Sequence, residues 1–145
     1  MKLNLGCGSD VRAGYENIDL VNPSNNPLIK IADARTISYE NIEEIIAISL
    51  VDQIPWEALP SMLNVWQLNL MVGGEVFIQG TDYENFANDI YHGRLTPEQA
   101  NSVAYGPGVK SMNSLFSMEV LLKQSGFSIM EKGIKSGLYY IRARK

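Results

Sequence analysis

The sequence predicts an α/β domain built on a mainly parallel, twisted sheet with an antiparallel C-terminal edge. Three observations predict it. Four short strand-like segments with short connections fill the first fifty residues. An alternation of helix, strand and helix follows, and two strands joined by a glycine-containing turn close the chain. Strands alternating with crossovers favour parallel pairing, whereas a tight turn between two strands allows only an antiparallel pair.

The elements follow in order. "KLNL" (2–5) is a short alternating strand ending in Gly6-Cys7-Gly8. "YENIDL" (15–20), between Gly14 and Asn22-Pro23, is the second strand, and "LIKIAD" (28–33) is the third. "EEIIAISL" (43–50) is the fourth, with the continuous apolar run of a strand buried on both faces. In "LPSMLNVWQLNLM" (59–71), Leu59, Leu63, Trp66 and Leu70 form a helical stripe; Pro60 suits its first turn and Gly73-Gly74 its end. "GEVFIQG" (74–80) is the fifth strand. "SMEVLLKQSGF" (117–127) is a second helix, with Ser117 as expected N-cap and Gly126 just past its end. "FSIMEKG" and "LYYIRAR", joined through "IKSG", form the hairpin.

No repeat, low-complexity stretch or linker divides the 145 residues, so residues 1–145 read as a single domain. Residues 80–113, after the fifth strand, read as an insertion over the sheet's carboxyl edge. Within it "AYGPGVKS" (104–111) reads as a lid or rim loop. A formal net charge of −4 gives no general attraction for nucleic acid or anionic lipid, and Arg142, Arg144 and Lys145, the one basic cluster, read as a solvated end. "MKLNLG" lacks a signal-peptide pattern and no apolar run reaches the length of a membrane span, so a cytoplasmic location is expected. One cysteine and one histidine, far apart, give neither a disulfide nor a metal-ligand set. The oligomeric state is open, with the C-terminal strand edge available for pairing.

Open sheets of this kind bind ligands beyond the carboxyl ends of their strands, where strand order reverses. The residues at those ends are Gly6-Cys7-Gly8, Asp19, Asp33-Ala34, Ser49-Leu50 and Gly80-Thr81-Asp82. Two glycines around a small residue suggest close approach of backbone to a ligand, and carboxylates at the second and third strand ends suit a nucleoside. Asp19 has the chemistry to accept from both ribose hydroxyls, and Asp33 or the amide of Ala34 to meet an adenine edge. Simpler readings stand beside these. The glycines suit a tight turn, Asp19 a turn before Asn22-Pro23, and Asp33 a helix N-cap. Cys7 reads as a small packed residue, and Trp56 and Trp66 as core. A dinucleotide site needs Gly-x-Gly-x-x-Gly opening a helix. Here "GCGSDV" puts Val11 at the third glycine's place, and Ser9 to Asn17 is too short for a crossover helix.

In "LNLGCGSDVRAGYENIDL" the chain resembles the class I S-adenosylmethionine-dependent methyltransferases over nearly its whole length. It is most similar to compact predicted members that open with a strand, "LGCG", a short loop and a Gly-aromatic-x-Asn-[Ile/Val]-Asp-Leu strand. "WQLNLMVGGEVFI" resembles that family's helix, glycine turn and fifth strand, with Met71-Val72 where Lys-Pro is usual; "FSMEVLLKQSGFSIME" resembles its last helix and following strand. The resemblance implies a minimal Rossmann-like methyltransferase fold and S-adenosylmethionine as cofactor. It implies that Gly6, Cys7 and Gly8 pass beneath the methionine part, that Asp19 and Leu20 hold the ribose and flank the adenine, and that Asp33 and Ala34 meet the adenine edge. Asn4, Ser49 and Leu50 complete the expected cofactor set.

The compact relatives often carry Ser-His-[Val/Ile]-Leu-Glu-His after the fourth strand. Here "ISLVDQIPW" has Ser49 for the first histidine, Asp52 for the glutamate and Gln53 for the second histidine, and Met112 stands where a later histidine is usual. His92, in "DIYHGRLTPEQ", is the one histidine left as a candidate base, and its competing reading is a helix end capped by Gly93. Tyr83, Tyr105 and Lys110 are candidates for an acceptor pocket, and no catalytic residue is assigned otherwise. Three functions follow: a methyltransferase acting on a small molecule, for example a sugar or sugar nucleotide; a binding protein that keeps the cofactor pocket without the chemistry; and an unrelated α/β nucleotide- or partner-binding module.

Overall fold

In the computed structural model, which describes Met1 to Lys145, the chain runs β1 (Lys2–Leu5), β2 (Glu16–Asp19), β3 (Ile29–Ile31), β4 (Ile42–Ile48), α1 (Leu59–Asn69), β5 (Leu70–Thr81), α2 (Tyr83–Tyr91), α3 (Pro97–Ala104), α4 (Leu115–Gln124), β6 (Ser128–Lys135) and β7 (Leu138–Arg144). The seven strands make one sheet in the order β3-β2-β1-β4-β5-β7-β6. The first five are parallel, and β7 is antiparallel to both β5 and β6. The predicted mainly parallel sheet with an antiparallel hairpin edge is therefore the observed one. Strand order reverses between β1 and β4, which places the topological switch point at the end of β1.

Register explains how the sheet buries one face. Leu3, Ile45, Val76 and Ala143 lie in one row across the strands, and Leu5, Ala47, Ile78 and Ile141 in the next. All eight are fully buried. Against them pack Leu59, Met62, Leu63 and Trp66 of α1 and Met118, Leu121 and Leu122 of α4, in one continuous core. The opposite face carries a row of charges, Lys2, Glu44, Glu75 and Arg144. Glu44 accepts from Lys2 Nζ, Arg142 Nη1 and Tyr15 Oη, and Glu75 from Arg142 and Arg144. These contacts hold the Glu44 and Glu75 carboxyls below the usual range, at Glu44 against the opposing push of burial. The expectation that β4 is buried on both faces holds over its apolar run, with Ile45 and Ala47 buried on one face and Ile46 on the other, while Glu44 at the start of the strand is satisfied by ion pairing. Arg142 and Arg144 belong to this ladder, and Lys145 Nζ donates to the carbonyls of Leu68 and Leu70, so the tail is docked rather than solvated.

Three local expectations are also corrected. α1 ends at Asn69 without glycine, and Gly73-Gly74 lie inside β5, where the β4–β5 register shifts between Ile42 and Glu44. A Cβ on Gly74 would lie 2.8 Å from the Ile42 carbonyl oxygen, so glycine is needed for the strands to approach. The N-cap of α4 is Ser114, paired in a capping box with Ser117 at the third helical position. Trp56 is 45% exposed, whereas Trp66 is fully buried. The β6–β7 hairpin turns on Ser136 (φ 51°) and Gly137 (φ 75°), both left-handed, as a two-residue turn between right-twisted strands requires. Residues 80–113 form α2, α3 and the segment leading to α4. α3 is not among the elements expected from the sequence, and its start is set by a capping box of Thr96 and Gln99 with Pro97 in the first turn.

Candidate active site

Beyond the carboxyl ends of β1 to β4 lies a cavity of about 230 Å³, walled by Gly6, Asp19, Leu20, Val21, Ala32, Asp33, Ala34, Leu50, Gln53, Ile54, Gly108 and Lys110. It brings together Gly6, Asp19, Leu20, Asp33, Ala34, Leu50 and Lys110 of the residues the sequence singled out.

Gly6 follows β1 in the left-handed region at φ 63°, and a Cβ there would fall 2.8 Å from Leu50 Cδ1 and 3.1 Å from Leu50 Cβ. The close approach expected at these glycines is therefore made by Leu50, itself a wall residue. Gly8 is also left-handed, at φ 52°, but faces open space, so conformation alone requires its glycine. Gly6→Ala is expected to cost about 1–3 kcal/mol through the disfavoured dihedral, and to weaken ligand binding by displacing Leu50. Chemical denaturation of the variant beside the parent checks the first part, and titration of the ligand the second.

Asp19 ends β2. Its Oδ2 accepts from the Gly8 N–H at 2.8 Å and its Oδ1 from the Val21 N–H at 3.2 Å. A carboxylate oxygen has two acceptor sites, so each oxygen keeps one for a ligand. Leu20 and Val21, 56% and 64% exposed, add apolar surface to the wall beside it.

Asp33 does cap a helix: its side chain accepts from the Arg35 N–H at the start of the 3-10 turn Ala34–Thr36. The carboxylate also receives Arg35 Nε and Nη2, and these bonds hold its carboxyl below the usual range. Both the capping and the wall readings of Asp33 describe it, and its acceptor capacity is largely taken by Arg35. Ala34 is fixed from behind, because its carbonyl accepts from the buried Trp66 Nε1 at 2.8 Å.

Asn4, Cys7, Gly8 and Ser49 do not line the cavity. Asn4 is buried and donates to the Asp10 carbonyl and to Asn17 Oδ1, pinning the loop after β1. Cys7 is buried, and burial, with Asp19 nearby, pushes its thiol up, the opposite of an activated nucleophile. Ser49 lies in the left-handed region at φ 54°, a conformation uncommon outside glycine, directly at the end of β4.

Tyr83 is buried in the insertion, its hydroxyl donating to the Val103 carbonyl and its ring set edge-on to Phe86. Tyr105 is 81% exposed and off the wall. His92 is the exposed C-cap of α2, followed by left-handed Gly93, so the helix-end reading describes its position. None of these three lines the cavity.

Sequence reasoning missed the part played by Asp52. It is buried, and its carboxylate accepts from Asn113 Nδ2 at 3.1 Å and from the Thr81 N–H at 3.1 Å. Burial pushes its carboxyl up, against the pull of those two donors. Its carbonyl accepts from the N–H groups of Lys110 and Ser111, which ties the 108–113 segment to the end of β4 and brings Gly108 and Lys110 to the wall. Partners almost sixty residues apart leave no local pattern to read.

The comparisons with known proteins agree with this architecture. No family model and no curated protein matches the chain. Among solved structures, an S-adenosylmethionine-dependent methyltransferase of Methanosarcina mazei is similar with a TM-score of 0.67 at 14% identity, over 99% of this chain and 91% of that one. One from Mesorhizobium loti gives 0.70 at 15% identity, over 99% and 90%. The magnesium protoporphyrin IX methyltransferase of Synechocystis, solved with bound S-adenosylhomocysteine, gives 0.68 at 13% identity, over 100% and 74%. The chain has the fold of the class I S-adenosylmethionine-dependent methyltransferases. At these identities the likeness is one of fold.

Proposed function

We propose that this protein binds S-adenosylmethionine in the cavity beyond β1–β4 and transfers its methyl group to a small molecule. The observation that carries the reading is Asp19: an oriented carboxylate at the end of β2, with one acceptor site left on each oxygen, matches the two hydroxyls of a ribose. The rest of the wall fits the same ligand. Leu20, Val21 and Ile54 offer apolar surface to a purine, Ala34 offers backbone to its edge, and left-handed Gly6 clears the wall for the remaining part. Asp33, taken up by Arg35, shapes the wall more than it binds.

When bound, S-adenosylmethionine supplies a methyl carbon on a positively charged sulfur. The protein's task is then to hold the nucleoside, exclude water and align an acceptor with that carbon; proximity of this kind supplies much of the rate. No histidine lines the cavity and Asp52 is not among its wall residues; with Asp19 given to the ribose and Asp33 taken up by Arg35, no side chain of the wall is assigned as a base. That same observation favours a second reading, a protein that binds the cofactor without transferring its methyl. The net charge of −4 supports a small-molecule acceptor, a sugar or sugar nucleotide among the candidates, over nucleic acid.

A thermal melt tests the proposal. At about 100 times its dissociation constant a ligand adds about 2.7 kcal/mol, which for a domain near this size raises the midpoint by about 5–10 °C. S-adenosylmethionine and S-adenosylhomocysteine are expected to give that shift and NAD none. Absence of any shift with the two sulfur compounds overturns the proposal. Transfer of labelled methyl to a component of a cell extract separates the two readings.

A further inference from the structure

Three ionisable side chains line the cavity: Asp19, Asp33 and Lys110. Asp33 is paired with Arg35, and Asp19 is oriented by two backbone N–H groups. The Lys110 ammonium differs from both. It makes no hydrogen bond or ion pair within the protein, while the backbone that carries it is firmly tied. Lys110 N–H donates to the Asp52 carbonyl at 2.7 Å and Ser111 N–H to the same oxygen at 3.1 Å. Ser111 Oγ donates to the Val51 carbonyl at 3.1 Å, and Asn113 Nδ2 to Asp52 Oδ1 at 3.1 Å. Asp52 is itself held by the Thr81 N–H. A segment distant in sequence is thus fastened to the ends of β4 and β5 so that an unpaired cation stands at the wall of a cavity whose other charges are carboxylates.

We propose that Lys110 is the anion-binding group of this site and takes a carboxylate or phosphate oxygen of the ligand. The inference rests on the proposed cofactor reading. Two ligands bring such an oxygen: the amino-acid end of the cofactor and an anionic methyl acceptor. In either case Lys110 carries the charge opposite to that of Asp19, so the cavity suits a ligand that brings both hydroxyl donors and an anionic oxygen. An ammonium on a flexible stem engages such a group as a point charge, so arginine in its place retains the contact.

The test is calorimetric titration of the parent protein, Lys110→Met and Lys110→Arg with S-adenosylhomocysteine and with 5′-methylthioadenosine, which lacks the amino-acid end. Inorganic phosphate is then titrated into each protein saturated with S-adenosylhomocysteine. If the anion is the cofactor's carboxylate, Lys110→Met weakens S-adenosylhomocysteine by about tenfold, as one charge-assisted contact at an exposed group warrants. Methylthioadenosine affinity stays unchanged, and Lys110→Arg restores most of the loss. If the anion is the acceptor's, both adenosine ligands bind the variants as they bind the parent, and phosphate binding to the loaded protein is lost in Lys110→Met. Equal behaviour of parent and Lys110→Met toward all three probes overturns the proposal while leaving the cofactor reading intact. Failure of the parent to bind either adenosine ligand overturns both. Because Lys110 is exposed, its variants are expected to melt with the parent.

Discussion

Asp19→Ala is expected to abolish the thermal shift given by S-adenosylmethionine while leaving the ligand-free protein nearly as stable as the parent. The two effects separate for a physical reason. In the free protein, Asp19 accepts from the N–H groups of Gly8 and Val21, both in exposed surroundings. When the carboxylate is removed these donors turn to water, so little folding energy is lost. In the proposed complex the same carboxylate would also meet two hydroxyls away from water. Each such charge-assisted bond contributes about 1.5–3 kcal/mol. Losing both lowers affinity by about a hundredfold or more. Asp19→Asn is the finer probe, since its amide leaves one acceptor oxygen in place of two, and its affinity should fall between parent and alanine variant. Calorimetric titration of the three proteins checks the order. If the alanine variant binds with the parent's affinity, Asp19 is a turn residue and the ribose contact is lost from the scheme.

Trp66→Ala is expected to be the most destabilising single change in the chain, at about 3–5 kcal/mol. Trp66 is fully buried in the core where α1 packs on the sheet, so truncation there leaves a large cavity. The substitution also strands the Ala34 carbonyl, which receives the indole N–H at 2.8 Å. For a domain near this size the midpoint should fall by about 10 °C or more. Trp66→Phe separates packing from hydrogen bonding. It keeps most of the ring and loses the donor, so it should cost less, yet it frees Ala34 at the cavity wall and should weaken ligand binding beyond what the lost stability explains. Urea unfolding of both variants, with titration of Trp66→Phe, checks this. Equal ligand affinity in Trp66→Phe and parent would show that Ala34 is held in place by other contacts.

The sequence by itself determined the architecture. A continuous apolar run at β4, a helical stripe in α1 and a glycine-containing turn between two strands are local signals, read over a few residues, and they required this sheet and this hairpin. The same holds for Gly6 and Asp19. A cavity at the switch point of a parallel sheet is walled by residues near the strand ends, so finding those ends found Gly6, Asp19, Leu20, Asp33, Ala34 and Leu50 of the wall. At α4 capping was legible only as a serine near its start: the pattern points to Ser117 and the cap is Ser114, because either hydroxyl suits it.

The tertiary structure decided what depends on pairing across the chain. Whether Gly73-Gly74 end a helix or bend a strand turned on the register of β5 against β4, a contact between residues some thirty positions apart. Whether Glu44 is tolerated in an apolar strand turned on Arg142, almost a hundred residues away. Asp52 reads in sequence as a substituted acid; in the folded chain it is the anchor that carries Lys110 to the cavity. Local pattern records what each residue does to its own backbone and to the faces of its own element. It carries no record of which distant donor will satisfy a buried carboxylate, and here the contacts around Asp52 bring Gly108 and Lys110 to the wall.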